Sequence, residues 1–157
     1  MSFPRVLLTG AAGFIGSHTW LALLAAGFRV VGLDDFSNSS PEVLTRLRTL
    51  SGSTPEFVRG DVRHAGALDA VFARERIDAV VHFAAFKAVG ESVSKPLAYY
   101  ANNVGGLLAL CEAMERQGCK TRLGVALTEI SGKCLTGASH PGERTAHLLC
   151  AGCFGPM

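Results

Sequence analysis

Thr9-Gly10-Ala11-Ala12-Gly13-Phe14-Ile15-Gly16 follows the apolar run Arg5-Val6-Leu7-Leu8 and opens the segment from Phe14 to Ala26. The run reads as a buried strand and the segment as a helix, so the glycines stand at a strand-to-helix turn. Their G-x-x-G-x-x-G spacing has a physical purpose there. Gly10 lets the chain turn sharply where a Cβ would clash. Gly13 lets backbone N–H groups approach a pyrophosphate, and Gly16 lets the helix pack close to the strand. Phe14 and Ile15 begin the helix, whose unpaired N–H groups and positive dipole end then face the phosphates. With 18 glycines in 157 residues, the spacing alone arises easily by chance. Its context gives it weight: a strand before, a helix after and an acidic residue ending the next strand. The alternative is a glycine-rich turn with no ligand.

That acidic residue ends the run Arg29-Val30-Val31-Gly32-Leu33-Asp34-Asp35. Asp34 lies 18 residues after Gly16, about what a helix and a strand require. A carboxylate there accepts hydrogen bonds from adenosine ribose hydroxyls and repels a 2′-phosphate, which favours NAD over NADP. Asp35 is placed to share the task. The alternative for Asp34 is a solvated loop acid.

A chain of 157 residues is one domain by the usual expectation and long enough to bury a core. Its hydrophobic share of 48 % and mean hydropathy of +0.29 are high, yet no apolar run is long enough for a membrane span. Met1 to Arg5 lead straight into the first strand, which leaves no room for a signal peptide. A net charge of +2 makes no electrostatic case for nucleic acid. Five cysteines without a secretory signal read as reduced thiols of a cytoplasmic protein.

Strands and helices alternate along the chain. Ser40 as N-cap and Pro41 at the first helical position start a helix to Leu50. Glu56 to Arg59 reads as a third strand closed by Gly60-Asp61, and a helix spans roughly Ala65 to Arg76. Asp78 to Ala85 is a near-continuous apolar run, as expected of a parallel strand covered on both faces. Pro96 starts a long helix to about Gln117, stopped by Gly118. On it Val104, Leu107, Leu108, Cys111 and Met114 form one apolar stripe. This spacing predicts an α/β fold, a doubly wound parallel sheet with right-handed crossovers. His82 reads as a core histidine, and Tyr99 and Tyr100 as packing or interface residues.

Phe3 to about Lys120 resembles the N-terminal part of the extended short-chain dehydrogenases, and within them the UDP-glucose 4-epimerase family. The narrower likeness rests on Gly16-Ser17-His18-Thr19, on Leu33 to Ser39, on Gly60-Asp61-Val62-Arg63 and above all on Val81 to Val104. Lys87-Ala88-Val89-Gly90-Glu91-Ser92-Val93 is the run specific to the epimerase branch. The resemblance implies a Rossmann-type NAD-binding domain over 3–120, truncated, without the C-terminal substrate domain. It implies the interconversion of UDP-galactose and UDP-glucose by NAD-dependent hydride transfer, with a UDP-sugar as substrate and a homodimer as the assembly. Carried to matching positions, Asp34, Asn38 and Ser39 would hold the adenosine ribose. Asp61 would bond the adenine amino group and the Val62 backbone the ring. Phe83, Ala84 and Lys87 would line the nicotinamide side, with Lys87 bonding the cofactor, and Asn103 would support the surrounding loops. The alternative for Lys87 is a solvated loop lysine.

After Lys120 the likeness stops. The family continues with a strand ending in a serine-rich turn, a Tyr-x-x-x-Lys helix and a sugar-nucleotide domain. Here the two tyrosines are Tyr99 and Tyr100, followed four residues on by Asn103 and Val104. No catalytic residue is therefore assigned; Thr128 and Ser131 have flanks that do not match. Leu123, Val125, Leu127 and Ile130 suit one more strand. Cys134, His140, His147, Cys150 and Cys153 are spaced too irregularly for a zinc site, so no metal is expected. The tail 121–157 reads as divergent, with a different reading frame, alternative splicing or a truncated gene as its expected origin.

Overall fold

Arg5–Thr9 (β1) is buried at every position and forms the middle strand of a parallel sheet. The computed structural model describes residues 4–74, 76–119 and, as a strand, 123–125. After β1 come Phe14–Ala25 (α1), Arg29–Asp34 (β2), Glu42–Ser51 (α2), Glu56–Arg59 (β3), Ala65–Arg74 (α3) and Ala79–His82 (β4). Then follow Val89–Ser94 (α4), Pro96–Tyr100 (α5), a π-helical turn at Ala101–Gly105, Gly106–Arg116 (α6) and Leu123–Val125 (β5). The strand order is β3-β2-β1-β4-β5. Register sets Thr9 beside Leu33 of β2 and His82 of β4, so these strands end level. The chain fills one half of the sheet and then crosses to the other, which creates a switch point beside β1. Crevices for ligands form there, outside the carboxyl ends of the strands.

Successive strand residues point to opposite faces, and each face has its own cover. Leu7, Val31, Leu33 and Val80 pack with Leu68, Val71 and Phe72 of α3 and Leu110, Ala113 and Met114 of α6. Leu8, Val30 and Val81 lie on the other face with Trp20 of α1 and Leu47 of α2. Gly32 belongs to that second face: a Cβ there would stand 2.1 Å from the Trp20 ring, so the indole lies flat against bare strand. Full burial of Leu7 and Leu8 contributes about 1.5–3 kcal/mol each.

Three differences from the sequence expectation bear on the site. The run 78–85 is a strand only as far as His82. Phe83 N–H still donates to Thr9 O at 3.0 Å, but Ala85 N–H then donates to Phe83 O at 2.8 Å, which turns the chain out of the sheet. The long helix expected over 96–117 contains the π-turn, and an unexpected short helix, α4, precedes it. Of the expected apolar stripe, Met114 is buried and Leu107 packs on the core beside Leu110 and Ala113, whereas Val104, Leu108 and Cys111 are exposed. α2 starts one residue later than expected: Pro41 stands at the N-cap, Glu42 is the first helical residue, and Ser40 Oγ accepts Glu42 N–H at 3.3 Å. Thr128, Ser131 and the cysteines and histidines of the tail lie outside the described residues.

Candidate functional site

The turn after β1 rests on two glycines, Gly10 and Gly16, that nothing larger replaces. Gly10 has φ +64°, and a Cβ on it would lie 2.6 Å from the Phe83 carbonyl carbon and 2.7 Å from the Ala84 nitrogen. The turn is thus left-handed and pressed against the chain leaving β4. A Cβ on Gly16 would lie 2.1 Å from Gly10 O, so the first turn of α1 rests on the loop itself. The sequence reading had it resting on the strand. Gly13 caps α1 with extended backbone and makes no side-chain hydrogen bond to the helix start. No acidic residue stands in the first turn. The first turn of α1 therefore has neither a capping side chain nor an acid of its own, the state that suits a phosphate.

These elements border a cleft of about 310 Å³ at the carboxyl ends of β1, β2 and β4. Gly10, Gly13, Phe14, Ile15 and Gly16 form its floor, and Asp34, Asp35, Asn38, Ser39, Asp61 and Val62 line it on the β2–β3 side. Phe83, Ala84 and Lys87 line the β4 side. Asn103 does not line it. Its amide instead holds Phe86 from behind, accepting Phe86 N–H at 2.8 Å and donating to Phe86 O at 3.0 Å. Four lining residues were missed: Ser37, Ala85, Phe86 and Asn102. The first three adjoin assigned residues, and that adjacency was a usable signal. Asn102 had none, because a regular helix would turn it away from the face of Asn103.

The acids are already engaged. Asp34 Oδ2 accepts Ala12 N–H at 3.0 Å, which ties β2 to the glycine turn. Asp34 Oδ1 accepts Phe36 N–H and the Ser39 hydroxyl, both at 2.9 Å. These bonds hold Phe36 at φ +63°, a costly conformation for an aromatic residue. Phe57 stacks on its ring at 5.1 Å, and the Arg59 guanidinium lies 5.8 Å from its centroid. Asp61 accepts from the Arg63 backbone at 2.8 Å and from its guanidinium with both oxygens. Bonding from the Arg63 side chain holds the Asp61 carboxyl below its ordinary pKa.

His82 is buried beneath the turn, with Nδ1 2.6 Å from Thr9 Oγ1, and burial lowers its pKa to about 4. It is neutral near pH 7 and ties β1 to β4. Tyr99 donates to Ala88 O at 3.0 Å and to Glu91 Oε2 at 3.1 Å. Burial, and then the bond to Glu91, push its pKa up, so it is a structural donor here. Among the described residues, no cluster of three His, Cys, Asp or Glu could hold a metal, and no helix is long and apolar enough to cross a membrane.

A parallel doubly wound sheet, a glycine turn under an uncapped helix start and a carboxylate ending the next strand define a dinucleotide-binding α/β protein. The sequence profile of the NAD dependent epimerase/dehydratase family matches residues 6–149. The chain belongs to that family. It is 51 % identical over 115 residues to UDP-glucose 4-epimerase of Bacillus subtilis (strain 168), covering 73 % of this chain and 34 % of that protein. It is 54 % identical over 118 residues to UDP-glucose 4-epimerase 2 of Oryza sativa subsp. japonica, covering 73 % and 29 %. The crystal structure of UDP-glucose 4-epimerase from Bifidobacterium longum in complex with NAD+ and UDP matches with a TM-score of 0.75 and 43 % identity. The match covers 78 % of this chain and 36 % of that one. The enzyme from Stenotrophomonas maltophila, with bound NAD and formylated UDP-arabinopyranose, matches with a TM-score of 0.77 and 37 % identity over 85 % and 40 %. The chain spans about a third of the length of the curated relatives it matches.

Proposed function

We propose that the chain binds NAD along the cleft and is the dinucleotide-binding part of a UDP-glucose 4-epimerase, an isomerase of UDP-galactose and UDP-glucose. One observation carries the reading: α1 begins without a cap or an acid directly above the Gly10–Gly16 cradle, with Asp34 facing it. A Cβ at Gly10 would collide with the Phe83–Ala84 backbone and one at Gly16 with Gly10 O, so only glycine permits this close turn under the helix start, and the residues present fit the cofactor. The α1 N–H groups would take the pyrophosphate. Asp34, with Asn38 and Ser39, would hold the adenosine ribose. Asp61 would meet the adenine amino group with its remaining acceptor capacity, and Lys87 would reach the nicotinamide side. NAD, when bound, supplies a reversible hydride acceptor. A cytoplasmic setting suits this chemistry, and the resemblance implies a homodimer.

These 157 residues hold no tyrosine followed four positions on by lysine. That pairing lowers the tyrosine pKa so that it acts as a base near neutral pH. On their own, therefore, these residues act as an NAD-binding module without turnover. Purification of the chain, with absorbance and mass spectrometry of what it retains, tests the binding half. NAD is expected, and a chain that neither retains nor takes up NAD would overturn it. Conversion of UDP-galactose by the purified chain, with no other epimerase present, would overturn the statement about turnover.

A further inference from the structure

Asn102 and Asn103 are neighbours in sequence, and on a regular helix their side chains would diverge by about 100°. Here both are 93 % buried, at 7 % exposure, and both serve one loop. Both lie within the π-turn at Ala101–Gly105, and their amides reach the same loop. Asn103 bonds both the N–H and the carbonyl of Phe86, at 2.8 and 3.0 Å. Asn102 Nδ2 donates to Asn103 Oδ1 at 2.9 Å and to Ala84 O at 3.4 Å, which orients the Asn103 amide. One helical turn earlier, Tyr99 meets the Phe86 ring edge-on at 5.5 Å and donates to Ala88 O. Lys87 therefore sits between two residues whose backbone is held from the helix.

The held loop, 84–88, follows β4, on the opposite side of the glycine turn from Asp34 on β2. A dinucleotide with its pyrophosphate on the turn and one ribose at Asp34 lays its other half on this loop. Among the described residues the loop has no ladder partner beyond His82, so without the clamp it would lose conformational freedom on binding.

We propose that Tyr99 and Asn103 are positioning residues that set the affinity for the nicotinamide half of the cofactor. Neither lines the cleft; both act by pre-forming the wall that carries Lys87. This rests on the dinucleotide reading given above.

Calorimetric titration of the full chain with NAD and with ADP-ribose, which lacks nicotinamide, separates the two ideas. Asn103→Ala is expected to weaken NAD by about tenfold, and Tyr99→Phe by about threefold, with ADP-ribose changed by no more than about twofold. Asn103→Asp keeps the acceptor for Phe86 N–H and is expected to fall between Asn103→Ala and the unaltered chain. Hydrogen exchange of the Phe86 amide, without ligand, is expected to be slow in the unaltered chain and fast in Asn103→Ala. Should Asn103→Ala not fold, Tyr99→Phe decides by the same comparison of ligands. Equal losses for NAD and ADP-ribose, or unchanged Phe86 exchange in a folded Asn103→Ala, overturn the proposal. An unaltered chain that binds neither probe overturns the dinucleotide reading and the positioning role with it, while Phe86 exchange still reports whether the clamp exists.

Discussion

Replacing Asp34 with alanine removes more than a ribose acceptor. The carboxylate also receives Ala12 N–H, Phe36 N–H and the Ser39 hydroxyl, so the glycine turn and the 35–39 loop loosen together. NAD binding by Asp34→Ala is expected to weaken by about 1–3 kcal/mol, the cost of losing charge-assisted hydrogen bonds. Unchanged affinity by calorimetry would remove Asp34 from the site. His82 gives a pH dependence of definite sign. Its pKa is about 4 when folded, against about 6.5 for an unperturbed imidazole. As pH falls from about 6.5 towards 4, the unfolded chain takes up a proton that the folded chain refuses. Stability is complete above the upper value and falls by up to about 1.4 kcal/mol per pH unit within the window. Urea unfolding at pH 7 and pH 5, in the native chain and in His82→Gln, checks this: the His82 share of the drop should vanish in the variant.

At the scale of the elements, two glycines make opposite predictions. Gly32 lies under the Trp20 ring, with no room for the 2.1 Å approach a methyl would force. Gly32→Ala should therefore lower stability by roughly 1–3 kcal/mol through overpacking between α1 and β2. Denaturant midpoints would show it, and an unchanged midpoint would mean that α1 shifts freely. At Gly13 a Cβ would meet only Gly10 O, at 3.2 Å, a contact that small movements relieve. Gly13→Val should fold and lose NAD binding, since its methyl groups take the space of the pyrophosphate. Retained binding in a folded Gly13→Val would show that the loop is only a turn.

At the scale of the molecule, four exposed apolar side chains among the described residues follow the α5–α6 region. Leu97, Tyr100, Val104 and Leu108 are 82, 54, 40 and 58 % exposed, at spacings that keep them on one side. A contiguous apolar strip of this kind favours association over a soluble monomer. The purified chain is expected to self-associate, and Leu97→Glu with Leu108→Glu to reduce that association without loss of helix content. Sedimentation velocity and circular dichroism together test this; a monomer at high concentration would speak against the strip as an interface.

Periodicity, the glycine spacing and the acid ending β2 were enough to determine the doubly wound class, the strand positions apart from the end of β4, the floor of the cleft and Asp34 beside it; Asn38, Ser39, Asp61 and Val62 came from the family resemblance. Those signals are local: a turn, a helix start and a strand each need particular residue types within a few positions. The tertiary structure alone decided what depends on distant segments meeting. It ended β4 at His82, where the Gly10 turn presses on Phe83 and Ala84. It also converted five residues of a predicted regular helix into a π-turn, which set Asn102 in the cleft and Asn103 behind Phe86. No local pattern specifies such a turn, because its stability comes from the amide bonds that it makes to a loop earlier in the chain.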